Sequence, residues 1–290
     1  MASRDKDGKI RGKIDNIVYR GYNGKQIMQS IPNRVRQTFA TKLSALEFGL
    51  AAVRAKAIRN IFDNVYEEYD GNMARRLTAT IAACIRASDK EPGERDLHDA
   101  NLSPLKGFVF NTDASFERLV AVNPTLDVSP NGTINFQLPP LSPMNDIVYP
   151  PNLLRPNACF GIYVVAFNFV ESLLQVIDYT GFDVAEDEKE PRQIAWTCEK
   201  SLPKGYIAFV IFTLRYFSLN WLGQRVQTTD KSYYPSIVLD AFHVTDGMAA
   251  RGIEDGLQTP SIEDLSRLPT FSAESIKRNI AKLKAKAAKK

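Results

Sequence analysis

Two histidines are the first residues to consider, because histidine is the side chain most often used for proton transfer near neutral pH. His98 lies in a charged stretch and His243 in a strand-like run. Neither belongs to an H-E-x-x-H motif or to another spacing typical of metal ligands or catalytic triads. We therefore expect no catalytic residue and no metal site, and we interpret His243 as a hydrogen-bonded, partly buried ring.

Nucleotide and calcium motifs give no support for cofactor chemistry either. The sequence has no G-x-x-x-x-G-K-[ST] loop and no G-x-G-x-x-G that follows a strand into a helix. The acidic run Asp183–Glu190 lacks the alternating ligands and glycine of a calcium loop, so we interpret it as a solvated loop. We expect no cofactor, see no evident small-molecule substrate, and predict that the protein is not an enzyme. An enzyme of unrecognised type, with convergent carboxylates or His243 in a concave site, is kept as a third hypothesis.

The three cysteines, Cys84, Cys159 and Cys198, are odd in number and far apart, and none forms a C-x-x-C pair. This pattern indicates neither a disulfide framework nor a zinc site. We expect buried thiols.

Charge is distributed unevenly along the chain. Residues 1–42 hold ten Lys and Arg against three Asp, a net charge of +7, and residues 271–290 hold seven against one Glu, a net charge of +6. Since the whole chain carries +4, the segment between them carries −9. Basic ends around an acidic middle favour association between copies or contact with a polyanion; two solubilising tails are the simpler alternative.

No membrane association is expected. The first residues are hydrophilic, and the longest apolar run, Tyr206–Leu214, has nine residues, far fewer than the roughly 20 that a membrane-spanning helix needs. We expect a cytoplasmic protein without a signal peptide, or one incorporated into a larger particle or filament.

The elements that would position any functional surface begin with a basic β-hairpin arm, residues 1–36. Asn23-Gly24 stands between two β-capable runs, which predicts a hairpin over about residues 14–31. Residues 37–104 form a helical hairpin and an exposed connection. Its first helix begins at Thr41 or Ser44, and its second runs from Met73 to about Ala87. The predicted stripe of the first helix is Leu43, Leu46, Leu50, Val53, Ala57, Ile61 and Val65.

The third predicted segment, residues 105–246, is rich in strands. A hairpin is expected around residues 126–138, and the proline-rich residues 139–156 are expected to be an extended surface loop. Strand-like runs then follow without helical periodicity, which favours an antiparallel sandwich over a barrel. The runs are residues 159–171, 173–180, 193–198, 206–217 and 236–244. Residues 247–290 form a basic tail that is helical from Ser272.

The opening of the chain also resembles a known group of proteins. Residues 8–19 read G-K-I-R-G-K-I-D-N-I-V-Y, followed by N-G-K-Q at residues 23–26 and S-I-P at residues 30–32. This motif, within about the first 60 residues, resembles uncharacterised bacterial domain-of-unknown-function proteins. The resemblance implies a short β-start, helices and then a β-sandwich of immunoglobulin-like or fibronectin-like character. It implies no activity and no catalytic residue.

The sequence therefore predicts an α+β protein: an N-terminal β-hairpin and αα-hairpin, an antiparallel sandwich and a basic helical tail. We expect a structural protein that self-assembles as a homo-oligomer by contacting neighbouring copies with its basic ends. The alternative is a nucleic-acid-binding or packaging protein that uses the same ends. The candidate interaction residues are Lys9, Arg11, Lys13, Tyr19, Arg20, Tyr22, Lys25, Arg34, Arg36, Lys277, Arg278, Lys282, Lys284 and Lys286.

Overall fold

The computed structural model describes residues 2–22, 24–31, 37–249 and 273–288. The chain divides into two compact units, residues 1–42 and residues 43–290. The described residues form a mixed α+β structure with antiparallel sheets, which confirms the predicted fold class at that level. None of the helices in these ranges combines the length and apolar character needed to cross a membrane.

The first unit contains a meander of four antiparallel strands in the order β1-β2-β3-β4. Asp5 organises its first turn by accepting hydrogen bonds from the backbone N–H groups of Asp7 and Lys9. The predicted hairpin is confirmed as β3 and β4, and Gly24 in the connecting turn has a φ of +74°. The first two strands are an addition to the prediction. The strands are β1 (Ser3–Arg4), β2 (Ile10–Ile14), β3 (Ile17–Tyr22) and β4 (Lys25–Ser30).

The helices and the remaining strands follow in chain order. The helices are α1 (Phe39–Tyr66), α2 (Met73–Arg86), α3 (Phe116–Leu119), α4 (Pro143–Asp146), α5 (Asp246–Ala249) and α6 (Ala273–Ala288), with 3₁₀ turns at Leu97–Asp99, Ser103–Leu105 and Lys231–Tyr233. The strands are β5 (Thr125–Val128), β6 (Ile134–Leu141), β7 (Asn157–Asn168), β8 (Leu173–Ala185), β9 (Arg192–Cys198), β10 (Ile207–Leu219), β11 (Arg225–Gln227) and β12 (Ser236–His243). All strands predicted in this half are present, and β11 is an addition.

The αα-hairpin is confirmed, but its first helix begins earlier than predicted. Thr38 Oγ1 accepts a hydrogen bond from the Thr41 N–H at 3.2 Å, so Thr38 acts as the cap in place of Thr41 or Ser44. The connection to α2 is fixed by Asp70, which accepts a hydrogen bond from the Asn72 N–H and pairs with Arg76.

α1 is buried on two sides, so its apolar surface is wider than the predicted stripe. Ile58 and Phe62 pack on the larger sheet, while Leu43 and Leu50 pack against α6. A single helical period does not describe a helix with two partners, because each partner covers its own face. The predicted stripe members that are only partly buried are Leu46, Val53, Ala57 and Ile61.

Two open antiparallel sheets form most of the second unit. The larger has the order β11-β10-β7-β8, with β12 also paired to β10, and the smaller has the order β5-β6-β9. β7 and β10 pair along their length, from Asn157 opposite Phe217 to Phe167 opposite Ile207. Both strands lie at the centre of the sheet and are buried on both faces, which explains why they read as continuous apolar runs.

The two faces of these central strands belong to two separate clusters. Phe167 and Phe209 pack with residues of α1 and α2, whereas Phe160 and Phe212 pack with residues of the smaller sheet, such as Phe136. The second unit, which we call the body, therefore packs helices on one face of the larger sheet and residues of the smaller sheet on the other.

The prediction of an extended surface loop over residues 139–156 is wrong for the first of these residues. β6, the central strand of the smaller sheet, continues through Pro139 and Pro140 to Leu141, and Pro143 begins α4. The register between β6 and β9 shifts between Leu138 and Leu141. The two prolines occupy this irregularity, where a strand tolerates residues without an N–H group.

Candidate interaction surfaces

Both histidines have structural hydrogen bonds. The Phe169 N–H donates to His98 Nε2 at 2.9 Å, and His243 Nε2 donates to the Ala100 carbonyl oxygen at 2.9 Å. Burial is the largest cause that lowers the pKa of His98, to about 4, so this ring is neutral at pH 7. The interpretation of His243 as a hydrogen-bonded, partly buried ring is confirmed.

The cysteines are free thiols, with Cys84 and Cys198 buried and Cys159 half-buried. Burial raises the pKa of each to about 11, so all three are protonated at neutral pH. In the part of the chain that the structure describes, no group of three or more His, Cys, Asp and Glu side chains is placed to hold a metal ion.

The N-terminal sheet (β1–β4) is unusual because none of its described residues is buried. Sheets are normally stabilised by covering at least one face with apolar packing. Its side chains are therefore the first candidates for contact with another molecule.

Strand register sorts the N-terminal sheet into two chemically different faces. Lys13 pairs with Val18 of β3, and Tyr22 pairs with Lys25 of β4. Because side chains alternate along a strand, Arg20, which lies between Val18 and Tyr22, shares their face. We call this surface the basic face, and its polar and aromatic members are Lys13, Arg20, Tyr22 and Lys25.

The basic face is open to solvent. Tyr22 is 61% exposed, and Arg20 Nη2 donates to Gln29 Oε1 at 2.8 Å. No described carboxylate forms an ion pair with Lys13, Arg20 or Lys25. Three unpaired cations on one face, two of them beside an exposed aromatic ring, can bind a carboxylate or a phosphate without first breaking an internal ion pair.

The opposite face of the sheet is apolar. Ile14 pairs with Ile17, and Tyr19 pairs with Met28. Ile14 is 50% and Met28 65% exposed. We call these four residues the apolar face. Tyr19 was grouped with the cations from sequence proximity, but it lies on this side of the sheet.

Lys9 and Arg11 have structural partners within the sheet. Lys9 Nζ donates to the Gly24 carbonyl oxygen at 3.0 Å, and Arg11 Nε lies 2.9 Å from Asp5 Oδ2. These contacts link the first turn to the rest of the meander. Arg34 and Arg36, also predicted as interaction residues, lie outside the described residues.

The cations of α6 fall into two groups. Lys277 and Lys284 form ion pairs within the chain: Lys277 Nζ lies 2.5 Å from Asp96 Oδ2, and Lys284 Nζ lies 2.8 Å from Glu94 Oε1. The others form no ion pair with a described residue and are exposed. They are Arg278, Lys282 and Lys286.

A buried ion pair anchors α6, and its residues were not identified from the sequence. Arg54 of α1 donates to both carboxylate oxygens of Asp96, at 3.3 and 3.0 Å, and both side chains are almost completely buried. Burial works to raise the pKa of Asp96, but Arg54 and Lys277 outweigh it and hold this pKa below its ordinary value. The only signal in the sequence is the presence of Arg54 between apolar positions of a helix.

The chain matches no protein-family model, no curated protein and no solved structure. The proposals below therefore rest on the chemistry of its own residues.

Proposed function

We propose that this protein is a non-enzymatic structural subunit that binds further copies of itself through the N-terminal sheet. The observation that carries the proposal is a four-stranded sheet with no buried residue and with a basic face opposite an apolar face. Such a sheet gains stability when a partner covers either face, because exposed apolar and aromatic side chains, Tyr22 of the basic face among them, then leave water.

Charge supports another copy as this partner. Residues 1–42 carry +7 and the middle of the chain carries −9, so the sheet of one copy is attracted to the body of the next. The exposed cations of α6, Arg278, Lys282 and Lys286, add to the basic surface. Repeated contacts of this kind build a larger particle or filament.

We also propose that the two sheets of the body form a β-sandwich of immunoglobulin-like or fibronectin-like character. Its support is the single cluster that unites Phe160 and Phe212 of the larger sheet with Phe136 of the smaller. In this proposal the body is the rigid scaffold that carries the interaction surfaces.

The test of self-association is the mass of the full-length protein by size-exclusion chromatography with light scattering at low and moderate salt. We expect a species larger than one 32.5 kDa chain, whose mass falls as salt screens the contacts. Reversing Lys13, Arg20 and Lys25 to Glu is expected to give a monomer. The matched comparison reverses Arg278, Lys282 and Lys286 to Glu, which changes the charge by the same amount on a helix. Since these cations only add to the basic surface, this variant is expected to associate more weakly than the wild type without becoming a monomer. A wild-type monomer at both salt concentrations contradicts the proposal.

Nucleic-acid binding is the second candidate, and the position of Arg20 and Lys25 beside exposed Tyr22, on the same face as Lys13, favours it. Single-strand binders combine cations with rings on which bases stack. About six phosphate contacts, contributed by both basic ends, give a log-log salt slope of about −4 on a single strand. Tyr22→Ala is expected to weaken binding of a single-stranded oligonucleotide while leaving the slope unchanged. Binding that is absent or insensitive to salt excludes this candidate.

A further inference from the structure

A groove of about 540 Å³ lies at one end of the larger sheet. The β10–β11 turn forms one wall, and the end of β8 with the residues after it forms another. The lining residues used below are Leu154, Glu186, Asp187, Leu219 and Trp221. We call this site the Trp221 groove.

The apolar side chains of the groove are exposed to an unusual degree. Trp221 is 90%, Leu154 83% and Leu219 57% exposed, and the adjacent Leu222 is 59% exposed. Trp is among the residues that contribute most to protein interfaces, because its large ring excludes water from a wide area. A cluster of this kind indicates an interaction site rather than scattered surface residues.

The turn that carries Trp221 is well ordered by hydrogen bonds. Asn220 Oδ1 accepts from the backbone N–H groups of Leu222 (3.0 Å) and Gln224 (2.9 Å), and Asn220 Nδ2 donates to Gln224 Oε1. Gly223 supplies the positive φ that the turn requires. The backbone that carries the indole is therefore ordered before any partner binds, which lowers the entropy cost of binding.

Acidic side chains accompany this apolar surface. Glu186 and Asp187 line the groove together with the guanidinium of Arg155. Burial is the largest cause that raises the pKa of Tyr149, and the charges of Glu186, Glu188 and Asp187 raise it further. The groove is thus lined by two carboxylates against one cation.

We propose that the Trp221 groove is the acceptor for the N-terminal sheet of a second copy of this chain. The inference rests on the proposed function. It adds the identity of the receiving surface.

The two surfaces match in chemistry. Arg20 and Lys25 of the incoming sheet meet Glu186 and Asp187, and a cation near Trp221 gains attraction from the ring face. Apolar contact comes from Tyr22, which is exposed beside both cations, against Trp221 and Leu154.

This contact joins different surfaces on the two copies. Each copy keeps one free sheet and one free groove. Association therefore continues, into a ring if the rotation closes and into a filament if it does not.

Two full-length variants test the proposal by light scattering at low salt. The sheet variant is Arg20→Glu with Lys25→Glu, and the groove variant is Trp221→Ala with Glu186→Gln. Val170→Ala, another exposed apolar position, is the control. Circular dichroism verifies that each variant is folded. We expect either double variant to weaken self-association at least about thirtyfold, and the control to behave as the wild type.

Mixing the two variants gives the sharper result. The sheet variant retains an intact groove, and the groove variant retains an intact sheet. The mixture is therefore expected to form a 1:1 dimer that grows no further. A groove variant that assembles like the wild type overturns the acceptor assignment and leaves the proposed function standing, provided the sheet variant is monomeric. A wild-type chain that is monomeric overturns both.

Discussion

Lys277 Nζ of α6 lies 2.5 Å from Asp96 Oδ2, the same oxygen that receives Arg54 Nη2 at 3.0 Å. One buried carboxylate thus joins the last described helix to α1. Asp96 also accepts a hydrogen bond from the Leu97 N–H at 2.7 Å, so its oxygens have several donors. Such a network stabilises the fold only while every member has its partner.

Asp96→Ala is expected to lower the free energy of unfolding by about 3–5 kcal/mol, because it leaves the Arg54 guanidinium buried without a counter-charge. Urea denaturation followed by circular dichroism measures the loss. Lys284→Ala is the control, since its pair with exposed Glu94 contributes only about 0–1 kcal/mol. Equal losses in the two variants would contradict the assignment of Asp96 as the central anchor.

Stability is expected to fall as the pH drops from 6.5 towards about 4. His98 has a folded-state pKa of about 4, whereas the unfolded ring titrates near 6.5. Within this window the unfolded chain takes up a proton that the folded protein does not, so acid favours unfolding. The effect of His98 is absent above pH 6.5.

Denaturation midpoints measured at a series of pH values test this prediction. His98→Gln, which retains an acceptor for the Phe169 N–H, is expected to reduce the slope in this window. Asp96 lowers the free energy of unfolding only at lower pH, because its folded-state pKa lies below its ordinary value and its carboxylate stays ionised and paired until then. If the denaturation midpoint of His98→Gln depends on pH as in the wild type, His98 is not the cause of the acid sensitivity.

Gly161→Ala is expected to destabilise the protein by about 1–3 kcal/mol. A Cβ at this position of β7 meets Thr213 Oγ1 at 2.6 Å and Tyr163 Cε2 at 2.9 Å. Gly181, the residue paired with Gly161 on β8, is the matched control because a Cβ there meets Cys159 Sγ at an ordinary 3.7 Å. Thermal unfolding compares the two. A neutral Gly161→Ala would show that the neighbouring side chains move aside.

Arg215→Met is expected to cost about 1–3 kcal/mol through loss of contacts at the end of α1. Its Nη2 donates to the carbonyl oxygens of Asn64 (3.1 Å) and Val65 (2.8 Å), and its Nη1 pairs with Glu67 at 2.7 Å. Arg225→Met is the control, because its pair with Asp183 is exposed. Hydrogen exchange of the last turn of α1 is expected to rise only in Arg215→Met.

Local signals in the sequence were sufficient for most of the elements. Asn23-Gly24 predicted the β3–β4 hairpin, and the apolar runs predicted β7 and β10, because turn chemistry and apolar burial act over short distances. The same reasoning failed at Pro139 and Pro140, where a register shift against β9 lets prolines lie within a strand. That shift depends on a partner distant in sequence.

The interaction residues could be predicted only in part, because their contacts also depend on partners that are distant in sequence. Clustering of cations near the N-terminus was visible, but their division into partnered Arg11 and unpaired Arg20 depends on strand register and on Asp5. Lys277 and Arg278 are adjacent in sequence, yet only Lys277 faces Asp96. Trp221 gave no signal, since sequence does not show whether an indole is buried or exposed.

The packing of α6 on Leu43 and Leu50 has a consequence for synthesis of the protein on the ribosome. Ile276 and Ile280, which cover these leucines, are translated long after α1 has emerged. That side of α1 remains uncovered while the sheets of the body are being made, and it is then a binding site for chaperones. The time between the synthesis of α1 and the synthesis of α6, rather than the stability of the folded protein, therefore determines how long the nascent chain can aggregate through this face.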